Sequence, residues 1–261
     1  MNLLFFGDSG RQLFGAYHVP PTGVTTRGGA VLCPPWGPEY LVSHRTLRRL
    51  AVLLSESGYH VLRFDYYGTG DSAGTRDEGD LSSWHADASL AVDELRDMSG
   101  CATVASFGIR LGAVVGWRLA ATRSDVHTVV MWDPIVNGAD YVKSMVAAQL
   151  DIDRWSVSPR RPPASSDGVL DVLGFPLTPS MRQSIEAVGP AEFRQPTGAK
   201  VKLFYSDVLP GRDCLHGALD DAGTGYDAAT MPGQTPWRED DAVGAGGLPF
   251  LVLERMVESL R

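Results

Sequence analysis

The chain has 261 residues, 44% hydrophobic and 21% charged, the make-up of one large α/β domain with a full core rather than two small ones. A formal charge of −8 argues against nucleic-acid binding, which needs a basic face, and the acids are too dispersed to form a tail. Cys33, Cys101 and Cys214 show neither CxxC nor Cys/His spacing, so no metal is expected. Met1–Phe6 lacks a basic leader region, and no apolar run nears the roughly 20 residues of a membrane span, so the expected address is the cytoplasm.

In chain order, Leu3–Phe6 and Gln12–Tyr17 predict a β-hairpin turning at Gly7-Asp-Ser-Gly10. Ala30–Cys33 reads as a buried strand and is followed by a loop, Pro34-Pro-Trp-Gly-Pro-Glu-Tyr40. Ser43 can N-cap a helix carrying Leu47, Leu50, Ala51 and Leu54 on one face. Val61–Phe64 is the next strand, and Ser82 or Ser83 starts a second helix that Gly100 stops. Ala102–Phe107 reads as a strand, Leu111–Ala121 as a helix apolar nearly all round, and Val126–Trp132 as a strand. From Ile135 to Thr197 the alternation breaks: a helix (Ala139–Leu150), a Pro/Arg/Ser stretch (Ser156–Asp167) and a second helical piece (Pro179–Val188). Strands Lys200–Tyr205 and Tyr226–Thr230 and a closing helix, Leu248–Leu260, restore it. Such alternation predicts a mostly parallel sheet covered on both faces. Residues 1–134 and 198–261 would form the core, and 135–197 a small helical lid. No internal repeat is present.

The informative segment is Ser106-Phe-Gly-Ile-Arg-Leu-Gly-Ala113. A strand runs into a helix through Gly108-x-Arg110-x-Gly112, the spacing of the G-x-S-x-G nucleophile elbow, whose small flanking residues allow a strained turn that projects the central side chain. The loop Pro34–Tyr40 can supply an oxyanion-hole amide. Asp207 stands just after the strand Lys200–Tyr205, where a triad acid would be placed. Gly68-Thr-Gly-Asp-Ser-Ala-Gly74 has the wrong spacing for a dinucleotide fingerprint and reads as a turn, and no P-loop motif is present, so no cofactor is expected.

On these residues the chain resembles the α/β-hydrolase superfamily, and within it the serine-aminopeptidase-like proteins called exosortase-A-associated hydrolases. The shared text is Pro34-Pro35, Phe64-Asp65 with Gly70-Asp71-Ser72, Gly108–Gly112 and Trp132-Asp133-Pro134, over roughly Ala30 to Val188. The resemblance implies an α/β-hydrolase fold with a lid. It does not imply serine hydrolase chemistry, because arginine cannot be deprotonated and is no nucleophile. The triad histidine is missing as well. Beyond Asp207 only His216 remains, expected on a helix, and Pro232–Gly244 holds none.

Two readings of Arg110 stay open. It can hold a substrate anion, since a helix N-terminus and the Leu111 amide both favour negative charge there and a guanidinium forks onto carboxylate or enolate oxygens. Or it can form a structural ion pair with Asp207 or Asp133 that neutralises a dead site. Glu39 and Tyr40, on the loop facing the elbow with Trp36, are placed to touch a ligand, and Trp237 with Glu239 and Asp240 could rim the same pocket. Arg110, Asp207 and Glu39 are thus the candidate catalytic residues; Trp36, Tyr40, Leu111, Asp133 and Trp237 are the candidate binding residues. His44 could lie near the pocket mouth, whereas His18, His60, His85 and His127 read as structural residues without partners. Three functions compete: an enzyme acting non-covalently on an acyl- or carboxylate-bearing small molecule, with a lyase-type elimination or cyclisation favoured; a catalytically dead binding protein for a lipid or peptide intermediate; and a hydrolase that activates water with Asp207.

Overall fold

A computed structural model describes residues 1–155, 168–207, 209–233 and 248–260. Its centre is an eight-stranded sheet in the order β1-β2-β4-β3-β5-β6-β9-β10, formed by β1 (Asn2–Phe6), β2 (Leu13–His18), β3 (Gly28–Cys33), β4 (Tyr59–Phe64), β5 (Val104–Ile109), β6 (Val126–Trp132), β9 (Lys200–Tyr205) and β10 (Tyr226–Thr230). β2 runs antiparallel to both β1 and β4, and every other pairing is parallel.

The parallel strands read as continuous apolar runs because both faces are covered. Along β3, Ala30 and Leu32 point to one face and Val31 and Cys33 to the other; Val130 and Trp132 of β6 oppose Val129 and Met131 in the same way. Helices α1 (Pro38–Glu56) and α7 (Phe250–Glu258) close the first face with Leu47, Leu50 and Leu54 against Val252, Leu253 and Met256. Helices α2 (Leu81–Ser99), α3 (Leu111–Thr122) and α6 (Arg212–Asp221) close the second. α3 is apolar all round because it lies between the sheet and α2, with Trp117 also packed on Phe193, 5.6 Å between ring centroids.

Between β6 and β9 stand α4 (Gly138–Trp155), a hairpin of β7 (Leu170–Val172) and β8 (Phe175–Leu177), α5 (Pro179–Glu186) and a 3-10 turn, Pro190–Arg194. The hairpin is not foreseen by the sequence reading, because strands of three residues carry no period. The Pro/Arg/Ser stretch Ser156–Asp167 lies outside the described residues.

Several boundaries move, each for a local reason. α1 begins at Pro38 and not after Ser43: Gly37 adopts φ 61° and Pro38, with its fixed φ, seeds the first turn. Glu39 and Tyr40 are therefore helical residues and not loop residues. α2 starts after Asp80, which caps Ser82 and Ser83 through its side chain in a reciprocal capping box with Ser83. β5 is shifted two residues on from the expected strand and ends directly at Arg110. The closing helix is shorter than expected, Phe250–Glu258.

Candidate active site at the turn between β5 and α3

Arg110 is the single residue between β5 and α3, with φ 54° and ψ −118°, a conformation that costs a non-glycine residue about 1–3 kcal/mol. Its neighbours impose it. A Cβ on Gly108 would lie 2.3 Å from the Gly112 carbonyl oxygen, and one on Gly112 would lie 2.2 Å from that of Cys33, so the two glycines let the turn close onto α3 and β3. The Arg110 N–H donates to the Trp132 carbonyl at 3.0 Å and its carbonyl accepts from Ala113 at 3.1 Å. This local backbone fixes where the side chain points.

The guanidinium does not pair with the Asp207 or Asp133 carboxylate, the partners considered from sequence. Its ion-pair partner is Glu39: Nε donates to Oε1 at 2.8 Å, a contact made possible because α1 starts early and turns Glu39 inward. Nη1 donates to the backbone carbonyl of Asp133 at 3.2 Å. Tyr141, on the first turn of α4, donates its hydroxyl to Glu39 Oε2 at 2.9 Å, and its ring lies 5.7 Å from the guanidinium carbon. Glu39 and Tyr141 are each 4% exposed. Among the described residues, Nη2 of Arg110 makes no hydrogen bond, which leaves one edge of the planar fork open.

Burial opposes the charge on Arg110, but the Glu39 carboxylate, with Tyr141 and Asp133, outweighs it and holds the guanidinium above its ordinary pKa. Burial, with Glu39 second, pushes the Tyr141 phenol far up, so Tyr141 acts as a neutral donor. The arrangement is a net-neutral, donor-rich cluster and not a bare cation. No sequence signal marks Tyr141: its partner is 102 positions away and its neighbours form an ordinary amphipathic helix.

The other expected site residues divide. Leu111 is fully buried and opens α3 behind Arg110. Asp133 is also fully buried, with φ 44°, and its Oδ1 accepts the Ser206 N–H at 2.8 Å, which pins the end of β9 beside the turn. Asp207 follows, half-buried. Trp36 is buried, with its ring 6.5 Å from that of Phe175 on β8. Tyr40 turns away from Arg110 and donates to Asp65 Oδ1 at 2.6 Å. Trp237, with Glu239 and Asp240, lies outside the described residues.

Three of the four histidines expected from the sequence to lack partners have them. His60 meets the Tyr17 hydroxyl at 2.6 Å, His85 the Thr122 hydroxyl at 3.0 Å, and His18 accepts from Arg63 Nε at 3.4 Å. His216 lies on α6 and meets the Tyr205 hydroxyl at 3.1 Å. His44 lies edge-on to Tyr40. Among the described residues no group of His, Cys, Asp and Glu could hold a metal, and no helix is long and apolar enough to cross a membrane.

A cleft of about 630 Å³ runs between the start of α1 and the β7–β8 hairpin, and Arg110 is not among the residues that line it. Trp36, Leu173, Phe175 and Met181 make it largely apolar, and Arg76 stands over the Phe175 ring at 5.8 Å.

Comparison with known proteins agrees with this architecture. The family model described as Hydrolase_4, serine aminopeptidase S33, matches residues 42–167. No curated protein matches the chain. Among solved structures, Est1E from Butyrivibrio proteoclasticus with bound ferulic acid is 16% identical, with a TM-score of 0.71 over 98% of this chain and 97% of that one. A soluble variant of monoglyceride lipase from Saccharomyces cerevisiae, in complex with a substrate analog, is 14% identical, with a TM-score of 0.68 over 99% and 94%.

Proposed function

We propose that this chain, which has the fold of the α/β-hydrolase superfamily, acts on an acyl- or carboxylate-bearing small molecule without forming an acyl-serine. The observation that carries the reading is Arg110, held at the turn by Gly108 and Gly112, tied on one edge to Glu39 and open on the other at Nη2. A guanidinium fixed in this way is a directed hydrogen-bond donor for a carbonyl, carboxylate or enolate oxygen, and the Leu111 amide at the start of α3 adds a second donor. We propose that the described parts of residues 135–197, which are 135–155 and 168–197, serve as a lid, with Tyr141 as its contact to the centre.

A lyase-type step, elimination or cyclisation, fits these groups. Arg110 stabilises the developing oxyanion while Glu39 or Asp207 takes or returns a proton. Pairing with Glu39 cancels much of the electrostatic pull that a lone arginine would exert, so recognition rests on geometry more than on charge. Trp36 and the apolar cleft would hold the acyl part. The structural relatives supply candidate ligands: one binds ferulic acid and the other a substrate analog of a monoglyceride lipase.

A second reading, a binding protein without turnover, is favoured by the same Arg110–Glu39 pair, because a neutralised centre suits retention as well as reaction. Hydrolysis by water activated at Asp207 is a third.

Arg110→Lys tests the proposal. Lysine keeps a cation for Glu39 but loses the second edge of the fork. Ferulate titrated by calorimetry should bind the wild type and lose at least tenfold in affinity in the variant, with little change in melting temperature. Unchanged affinity together with a large drop in melting temperature would sink the donor role and leave a structural pair. Product analysis with feruloyl and monoacylglycerol esters then separates hydrolysis, elimination and simple binding.

A further inference from the structure

A second cavity, of about 310 Å³, opens between α1 and the first strands. Arg110 lines neither this cavity nor the larger cleft, whereas Tyr40 lines both. One face of α1 supplies Tyr40, His44, Leu47 and Arg48 at helical spacing, and β1, β2 and β4 supply Leu3, Phe14 and Arg63. The volume falls at the low end of small-molecule sites, roughly 300–1,000 Å³.

The cavity brings Arg48 and Arg63 together with Asp65 and Asp71. Arg11, Arg96, Arg110, Arg118 and Arg123 each meet a carboxylate. Arg63 is half-buried and meets none: its one side-chain hydrogen bond goes to the ring of His18. That ring is a neutral acceptor, since burial first and Arg63 second push its pKa down to about 4. Burial likewise pushes the Arg63 guanidinium down. Arg48 makes no ion pair or hydrogen bond among the described residues. Of the two nearby acids, Asp65 already accepts from the Tyr40 hydroxyl and the Asp71 N–H, 2.6 and 3.0 Å away, and Asp71 is exposed at the rim. In a chain of net charge −8, two arginines with open donors therefore converge on one apolar-walled cavity.

We propose that this cavity is a separate binding site for a small apolar carboxylate. The carboxylate would lie across Arg63 and Arg48, and the hydrocarbon would lie along Leu3, Phe14 and Leu47. Charged hydrogen bonds to a guanidinium supply the head-group recognition, and covering the half-exposed apolar wall supplies the rest. A cationic amphiphile of the same length lacks the complementary head group.

The test is titration of the full chain with octanoate, octylammonium and octanol at neutral pH, read by calorimetry. Octanoate should bind at least tenfold more tightly than the other two. Arg48→Gln, an exposed helix position where folding is not at risk, should weaken octanoate several-fold. Arg63→Gln should weaken it at least tenfold, and a melting curve recorded alongside checks that the variant is folded. Arg110→Lys should leave octanoate affinity within about twofold. Equal affinity for octanol, preference for octylammonium, absence of octanoate binding, or insensitivity to Arg48→Gln would each overturn the proposal. Loss of octanoate binding in Arg110→Lys would place the ligand at the β5–α3 turn, and so would also refute this site.

Discussion

At Arg110 two costs are accepted at once: a strained backbone and a buried charge. The strain is held by the packing of Gly108 and Gly112, and the charge is held by Glu39 and the Asp133 carbonyl. Removing one partner of a buried pair leaves the other uncompensated and costs about 3–5 kcal/mol. Arg110→Ala should therefore lower stability by about that much in urea unfolding, and adding Glu39→Gln should recover most of the loss. A double-mutant cycle with no coupling would show that the pair does not matter to stability. Restoring serine alone, Arg110→Ser, should give no appreciable p-nitrophenyl ester turnover, because triad members act as a unit and the side-chain partners of position 110 among the described residues include no histidine. Robust turnover in that variant would reveal a usable base.

The elements explain what the sequence reading could and could not reach. The strand-to-helix turn was legible because Gly108, Arg110 and Gly112 carry local geometric demands, and the buried helix α3 follows them directly. The identity of the partner was not, because Glu39 lies 71 positions from Arg110 and its orientation depends on α1 starting at Pro38, ahead of the expected cap at Ser43. Tyr141 arrives from a different element again. The β7–β8 hairpin was missed because three-residue strands are too short to show a period. The glycines can be tested at this scale. Gly112→Ala puts a Cβ 2.2 Å from a backbone oxygen, which no flexible side chain can relieve. It should destabilise the fold by several kcal/mol, whereas Gly225→Ala, with open space around it, should change melting by less than a degree or two.

For the molecule as a whole, acid stability should carry a signature of His18. Its folded pKa, about 4, lies below the ordinary 6.5, so the unfolded chain takes up a proton that the folded one refuses. The His18 contribution is fully present above about pH 6.5, falls as pH drops toward about 4, and then levels off. His18→Gln keeps an acceptor for Arg63 and removes the titration, so its melting temperature should fall less steeply across that window. An identical slope in wild type and variant would assign the acid sensitivity to other groups. The Arg110–Glu39 bond also has a consequence for how such a chain changes over time. Because the glycines and not the central side chain set the turn, position 110 can be exchanged at small backbone cost, but only if position 39 changes with it. Two codons 71 apart then behave as one heritable unit: serine at the turn should travel with a neutral residue on the first turn of α1, and arginine with a carboxylate.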